Sequence, residues 1–288
     1  MFGSLIGRSA VAGVAVFAAF LSLPSSAANT VVPQSSLVPS GQYYTDIIGG
    51  GIGSVVVMTG GGNAAGVGDP SGRNDDGFSG PINLGFTLSF FGASQTQFFA
   101  NNNGNISFGA GISAYVPTGP TGAASPVISP YFADVDTRGA ASGVLTLRTD
   151  IANEVILTWD QVGYFQGHAD KLDSFQLVVR GPGYAIPNGE GSIGFFYKNM
   201  PWIGTGTSTT AAVGFGDGAG NSEVLQGSNT GTINAALANH YIWFDQNLAV
   251  VPPPVVGAVP EPETYALMVA GLAALGVVGR RRRGRLAA

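Results

Sequence analysis

The chain has 288 residues, of which 45% are hydrophobic, and it contains 45 Gly, 17 Pro and no Cys, with a formal net charge of −5 at pH 7. Residues 29–258 are more acidic than the whole chain, because six Lys and Arg stand against fifteen Asp and Glu there, a net charge of −9. This balance excludes nucleic acid as an expected partner, since binding the phosphate backbone requires clustered Lys and Arg. The lack of Cys excludes disulfides, thiol catalysis and cysteine metal sites, so packing must hold the fold together.

Residues 1–28 have the three-part layout of a secretory signal peptide. Arg8 supplies the cation, residues 10–23 are apolar, and small residues follow up to Ala27 and Ala28. Cleavage is expected after one of these two alanines, which leaves the rest of the domain outside the cell. A buried N-terminal helix is the alternative, but the apolar stretch has no polar face, and this favours export.

Residues 29–73 are a Gly-rich N-terminal segment with one short predicted strand. Residues 59–77 (TGGGNAAGVGDPSGRNDDG) show no hydrophobic periodicity, which predicts a mobile surface loop.

Short β-branched and aromatic runs bounded by Gly, Asn, Asp and Pro follow in the exported part, and such runs are typical of strands. In DSFQLVVR, for example, Phe175, Leu177 and Val179 fall on one face, which is expected to face a core. Strands are predicted at residues 53–58, 84–91, 105–108, 127–133, 143–149, 153–162, 173–180, 191–199, 209–216 and 240–246. Their spacing predicts an all-β fold, an antiparallel β-sandwich. It is expected to be flanked by the signal helix and by a C-terminal transmembrane helix.

Two acidic residues in ADVDTRG are candidate metal ligands. Asp134 and Asp136 are two positions apart and share one strand face, where with carbonyl oxygens they could bind a hard cation such as Ca²⁺. The stretch is not an EF-hand, because the twelfth position from Asp134 is Leu145 where that loop needs a Glu. The alternative is that both aspartates form ion pairs with Arg138 or Lys171, or cap turns. Ca²⁺ is thus a candidate cofactor, and no other cofactor is expected.

Catalytic patterns are scarce, and we expect no enzyme activity. The two histidines, His168 and His240, do not form a His-x-x-x-His motif, and neither a Gly-x-Ser-x-Gly elbow nor a phosphate-binding Gly-Lys-Ser/Thr loop is present. A pair of carboxylates from distant strands, as in glycoside hydrolysis, stays open as a third functional alternative.

Large aromatic residues raise the alternative of sugar binding, because exposed rings can stack on sugars. The candidates are Trp159, Tyr164, Phe165, Trp202 and Trp243. The competing interpretation is that such rings build the core, and it is preferred for Trp159 and Trp243. Trp202 follows a proline and precedes a Gly-Thr-Ser loop, so it is expected to be partly exposed and ligand-facing.

Several ordered blocks resemble the NIDO domain, the extracellular domain of nidogen and its relatives. They are DDGFSGPINLGFTLSFFGASQTQFFANNNGNISFG (75–109), ISPYFADVDTRG (128–139), GVLTLR (143–148), VILTWDQVGYFQGHADKLDSFQLVV (155–179), GSIGFFYKNMPWIGTG (191–206) and AAVGFGDGAGNSEVLQGS (211–228). The resemblance covers residues 74–246. It implies a cell-surface or matrix-associated adhesion module.

The C-terminal region has three unlike elements in order. Residues 247–263 form a Pro-rich linker that contains Val259, Pro260, Glu261 and Pro262, the VPEP motif. Residues 264–279 are uncharged and predict a transmembrane helix of about 24 Å, short against a hydrocarbon core of about 30 Å. The Arg-rich tail, residues 280–288, opens with Arg280, Arg281, Arg282 and Arg283, which the positive-inside rule places in the cytoplasm.

This order is similar to the PEP-CTERM sorting signals of Gram-negative bacteria. The resemblance implies recognition by an exosortase, processing near VPEP, a transient stay in the inner membrane, and delivery to the cell surface or extracellular polysaccharide matrix. A permanent single-span anchor is the alternative, since snorkelling arginines and local thinning can accommodate a short helix.

Together these features predict an exported adhesion or interaction protein at the cell surface or in the extracellular matrix. The expected partners are exosortase, the export machinery, the membrane through the C-terminal helix, and the matrix or exopolysaccharide. The runner-up is a carbohydrate-binding protein of the exopolysaccharide matrix, and a secreted hydrolase comes third.

Overall fold

The structure is a computed structural model that describes residues 28–61, 64–115, 119–204, 209–254, 267–270 and 272. Most regular structure in these residues is β. The strands are β1 Asn29–Val32, β2 Val38–Pro39, β3 Ser54–Val55, β4 Ile82–Phe90, β5 Ala93–Asn101, β6 Asn105–Ser107, β7 Val127–Phe132, β8 Leu145–Arg148, β9 Glu154–Tyr164, β10 His168–Arg180, β11 Ile193–Tyr197, β12 Ala212–Gly216, β13 Ser222–Leu225, β14 His240–Phe244 and β15 Val250–Val251. The α-helices are α1 Tyr44–Ile48 and α2 Ile233–Leu237, and 3-10 turns lie at Gln34–Ser36 and Pro120–Gly122.

The strands form two sheets. One sheet has the order β1-β13-β12-β7-β6-β5-β4, and the other has the order β15-β14-β11-β10-β9-β8-β3, with β2 paired to β14. The paired strands are antiparallel except for β1 and β13, which run parallel. The predicted all-β class is confirmed, and this parallel pair corrects the expectation of purely antiparallel pairing.

A single hydrophobic cluster receives side chains from both sheets. The rings of Phe195 in β11 and Phe215 in β12 lie 5.4 Å apart, and so do those of Phe175 in β10 and Tyr131 in β7. Phe175, Leu177 and Val179 are fully buried in this cluster, as their alternation predicts. The core therefore lies where β7 and β12 meet β10 and β11.

The other face of β9, β10, β11 and β14 is also covered, although alternation predicts a polar outer face. Val178 and Trp243 are buried in a second cluster beneath Tyr43 and Tyr44, which stand at the start of α1. The carboxylate of Asp46 accepts a hydrogen bond from the main-chain N–H of Tyr43 at 2.9 Å and fixes that start. The N-terminal segment thus buries the face of this sheet that points away from the main hydrophobic cluster.

The segment at residues 59–77 differs most from its expectation. The prediction of a surface loop is wrong for the C-terminal end of this segment, because Asn74 and Asp75 are buried and Asn74 bonds to Thr137. Hydrophobic periodicity cannot detect this packing, since polar side chains and main-chain bonds make it.

Part of the predicted ends lies outside the described residues. This applies to the signal peptide with Ala27, to the VPEP motif, to Arg280–Arg283 and to most of residues 264–279. In the stretches that the structure describes, no helix is both long and apolar enough to cross a membrane.

Candidate functional site

Three polar segments meet at one end of the sheets: NDDG at 74–77, NNNGN at 101–105, and ADVDTR at 133–138. Asn74 joins the first to the third, because its main-chain N–H donates to Thr137 Oγ1 at 2.7 Å and its carbonyl accepts from the Thr137 N–H at 3.0 Å. The Asn74 side chain also accepts from the N–H of Gly77 at 2.5 Å and closes the turn. These bonds fix the turn at residues 74–77 against the segment that follows β7.

This turn brings two aspartates to a third one. Carboxylate oxygens of Asp75, Asp76 and Asp134 all lie within 4.8 Å of one another, and we call these residues the aspartate cluster. Asp75 is 9% exposed and Asp134 is 1% exposed, while Asp76 is half-buried. Three carboxyl groups, which repel one another when ionised, are thus held close together with little access to water.

Asparagines of the second segment form one wall of the cluster. The side-chain N–H of Asn103 donates to Asp76 Oδ1 at 2.7 Å, and Asn103 Oδ1 accepts from the N–H of Val135 at 3.0 Å. Asn102 links the same segments, because its main-chain N–H donates to Gly77 O at 2.9 Å and its side-chain N–H donates to Val135 O. Asp76 itself has a positive φ of 65°, a conformation that Asp tolerates better than most residues.

Asp136, predicted as the companion ligand of Asp134, forms an ion pair. Its carboxylate accepts from Arg138 Nη2 at 2.5 Å and Nε at 2.9 Å, and from the N–H of Gly167 at 2.7 Å. Arg138 Nη2 also lies 2.6 Å from Asp75 Oδ2. The ion pair that the sequence offered as the alternative for Asp136 is therefore present, and Asp134 lies with Asp75 and Asp76.

The electrostatics of the cluster disfavour its charged form. Burial, followed by repulsion from Asp136 and Asp76, raises the pKa of Asp75 to about 7, although Arg138 opposes this effect. Burial also raises the pKa of Asp76, and the hydrogen bond from Asn103 opposes that rise. A bound cation would relieve both costs, because it favours the ionised carboxylates.

Buried oxygens in this region without a hydrogen-bond partner among the described residues include Oδ1 of Asp75 and Oδ1 of Asn102. The Asn102 side chain is fully buried. Such orphan acceptors are costly, since buried polar groups are normally paired. They are oxygen atoms of the kind that hard cations bind.

The candidate aromatic ligand is not at the surface. Trp202 is 4% exposed, so the expectation of partial exposure is wrong. Its indole N–H donates to Val162 O at 2.9 Å, and its main-chain N–H donates to Asp173 Oδ1 at 3.1 Å. Its ring also packs beside Tyr131, with centroids 5.9 Å apart, and belongs to the hydrophobic core.

The other aromatic candidates are mostly buried as well. Trp159 is fully buried, Trp243 is 3% exposed and Tyr164 is 6% exposed, while Phe165 is 39% exposed. The core interpretation of Trp159 and Trp243 agrees with these values. These five residues therefore do not form an exposed row of rings.

A polar cleft of about 590 Å³ lies beside the β9–β10 hairpin. Its lining includes Asp160, Asp170, Lys171, Lys198 and Asn199. Asp170 accepts a hydrogen bond from the hydroxyl of Tyr164 at 2.9 Å. The cleft offers hydrogen-bond donors and acceptors of both charges.

Comparison with known proteins places the domain. The model of the family described as NIDO related matches residues 56–249, about two thirds of the chain. The chain belongs to the NIDO-related family. In this NIDO-related domain, the aspartate cluster, the buried tryptophans and the polar cleft all lie inside the matched range.

A second match covers the C-terminus. The model of the PEP-CTERM protein-sorting motif matches residues 258–283. The motif implies recognition by an exosortase and export through the membrane to the cell surface or extracellular space. No solved structure matches the chain.

Asp75, Asp76 and Asn102 were not among the residues that the sequence singled out. The available signal was composition: two consecutive aspartates follow shortly after the Gly-rich segment, and three consecutive asparagines precede Gly104. Neither run indicates which distant residue it meets, because their contacts are long-range.

Proposed function

We propose that the protein is a non-catalytic adhesion component of the cell surface or extracellular matrix, sorted there by an exosortase. The observation that carries the proposal is the joining of two modules on one chain. The NIDO-related match ends at residue 249 and the sorting motif begins at residue 258, with a Pro-rich linker between them. Residues 250–251 still belong to the domain, because as β15 they pair with β14. The prolines that follow favour an extended chain, which would hold the domain away from the surface that bears it.

The build of the domain supports a binding role. Its two sheets share one hydrophobic core, and we take them as the layers of a β-sandwich that presents loops at its ends. His168 and His240 each place Nδ1 against a main-chain carbonyl oxygen, Phe165 O at 2.5 Å and Ala238 O at 2.8 Å. Neither histidine is paired with a nucleophile in these contacts, which favours binding over catalysis.

The sorting half of the proposal is a sequence of steps. The signal peptide starts export, the segment at residues 264–279 stays briefly in the inner membrane, and cleavage near Glu261 releases the domain. The arginines that follow act as the stop on the cytoplasmic side. The physical parallel is the GPI signal, whose apolar tail is removed from the mature protein.

Cells that lack the gene test the proposal when they are complemented with the wild-type chain or with Glu261→Ala. We expect the wild-type chain to restore cell-to-cell and cell-to-matrix attachment, and the variant to stay cell-associated with a membrane-bound C-terminus. Equal attachment without the gene would refute the adhesive role. Turnover of a glycan or peptide by the purified protein, abolished by one Asp or Glu substitution, would instead establish an enzyme.

Sugar binding is a second candidate, favoured by the polar cleft at Asp160, Lys171 and Asn199. Its mixed donors and acceptors suit sugar hydroxyls, although the candidate tryptophans are buried. Binding of the protein to purified exopolysaccharide, reduced by Lys171→Ala and Asn199→Ala together, would favour this candidate. Binding that disappears after protease treatment of the matrix would favour a protein partner.

A further inference from the structure

The spacing of the aspartate cluster matches the size of one hard cation. Two oxygens that both lie 2.3–2.6 Å from a Ca²⁺ ion are at most about 5 Å apart. Carboxylate oxygens of Asp75, Asp76 and Asp134 lie within 4.8 Å of one another, which is inside that limit. The three groups can therefore contact the same ion without moving far.

A second observation, independent of the acidic cluster, is the orphan oxygen of Asn102. This side chain is fully buried, and its Oδ1 has no hydrogen-bond partner among the described residues. Asn102 bonds to Gly77 O and to Val135 O, the residues directly after Asp76 and Asp134. Its unused oxygen is thus buried between the two segments that carry the cluster.

Asp75 adds a further buried oxygen. Its Oδ2 pairs with Arg138 Nη2 at 2.6 Å, whereas its Oδ1 has no hydrogen-bond partner among the described residues. The Asp75 side chain is 12% exposed. A carboxylate placed in this way gains from a cation on the side that Arg138 does not reach.

We propose that Asp75, Asp76 and Asp134, with the side-chain oxygen of Asn102, bind one Ca²⁺ ion. The donor set consists of oxygens, which hard cations prefer, and contains neither the imidazole nor the thiolate that zinc favours. Asp136 is left out because Arg138 and Gly167 already occupy its oxygens. Ca²⁺ fits better than Mg²⁺, because it accepts irregular oxygen sets and Mg²⁺ requires near-octahedral geometry.

The ion would tie together three parts of the chain that are distant in sequence. Asp75 and Asp76 precede β4, Asn102 follows β5, and Asp134 follows β7. Calcium would then order this end of the domain in the extracellular space. The proposal does not depend on whether the domain binds a protein or a sugar.

The test uses the full-length chain, purified in mild detergent and dialysed against EDTA, with CaCl₂ as the added probe. We expect the melting temperature to rise by about 5–10 °C once the Ca²⁺ concentration is about a hundredfold above Kd. MgCl₂ at the same concentration should give a clearly smaller rise. No rise with either salt would overturn the site, and an equal rise with Mg²⁺ would overturn its assignment to Ca²⁺.

Asp76→Asn separates a ligand from a merely structural residue. The Asn side chain keeps the acceptor for Asn103 and removes one like charge, so in EDTA the variant should melt at or above the wild-type temperature. In Ca²⁺ it should require at least about tenfold more ion for the same rise. An equal loss of stability in EDTA and in Ca²⁺ would show a structural role and refute the proposal.

Asp217→Asn is the matched control, since Asp217 lies in a separate turn, DGAGNSE at residues 217–223, and the same charge is removed. It should keep the wild-type response to Ca²⁺, and loss of the response in this variant alone would place the ion elsewhere.

Tb³⁺ luminescence supplies a readout in the unmutated protein. Trp159 donates to Asn102 O at 3.0 Å, so exciting tryptophan should sensitise bound Tb³⁺, and Ca²⁺ should compete it away. Wild-type protein without sensitised emission would count against the site.

Discussion

Replacement of Arg180 by Met removes the centre of a buried ion-pair network. Arg180 is 1% exposed, its Nε donates to Glu154 Oε2 at 2.7 Å, and its Nη2 donates to Glu190 Oε2 at 2.6 Å. The guanidinium also lies 4.3 Å from the ring centroid of Trp243. Glu154 is 2% exposed, so Arg180→Met leaves a buried carboxylate without its counter-charge.

The expected loss is large because the charge left behind cannot reach water. Breaking one partner of a buried pair costs about 3–5 kcal/mol, and the lost contact with Trp243 adds about 0.5–1 kcal/mol. Set against a typical stability of about 5–15 kcal/mol, Arg180→Met should lower the free energy of unfolding by about a quarter or more. Neutralising the carboxylate as well, in Arg180→Met with Glu154→Gln, should recover most of this loss.

Urea denaturation followed by tryptophan fluorescence measures these free energies. The control is Asp150→Asn, which breaks an ion pair at a side chain that is 65% exposed and should cost less than about 1 kcal/mol. A loss for Arg180→Met no greater than that of this control would refute the reasoning. So would a double variant that is no more stable than the single one.

Three further predictions concern pH, backbone geometry and processing. Burial raises the pKa of Asp173 well above its usual value, so its stabilising contribution is full below about pH 4 and is lost as the pH rises through the folded-state pKa. As the pH rises from 4 to 8, Asp173→Asn should therefore become more stable relative to wild type. The same difference in melting temperature between variant and wild type at both pH values would contradict this. Gly104→Ala should cost more than about 2 kcal/mol by urea denaturation, because φ is 74° and the added Cβ would lie 1.8 Å from a main-chain carbonyl oxygen. Gly109→Ala has a similar φ of 82° and open space, so it should cost only about 1 kcal/mol, and equal losses would exclude the clash as the cause. Mass spectrometry of the mature protein should find a C-terminus near VPEP, whereas an intact Arg285 would indicate a permanent anchor.

Local patterns predicted most strands of the NIDO-related domain. The β-branched and aromatic runs correspond to β4, β6 to β12 and β14, because the period of two survives wherever one face meets the core. β5, which lies between the edge strand β4 and β6, was missed because its sequence, ASQTQFFAN, is largely polar. β13 was missed because SEVL is short and directly follows the Gly-rich stretch GDGAGN.

The candidate metal residues illustrate a different limit. Spacing alone predicts that Asp134 and Asp136 share a strand face. In the structure, however, Asp136 forms an ion pair with Arg138, while Asp134 lies in the cluster with Asp75 and Asp76. Which carboxylate meets which partner depends on the turn at 74–77 docking beside the strand end. Spacing in the sequence cannot report a contact between residues about sixty positions apart.

The sequence by itself determined the all-β class, the family and the sorting signal, since composition, ordered motifs and the two chain ends are local features. The tertiary structure decided which polar residues are buried together and which aromatic rings are hidden. Trp202 is buried because it packs beside Tyr131 and bonds to Val162 O, and Asp75 is buried because Asn74 ties its turn to Thr137. These outcomes follow from long-range packing, where burial and charge are set by neighbours that the linear chain keeps far apart.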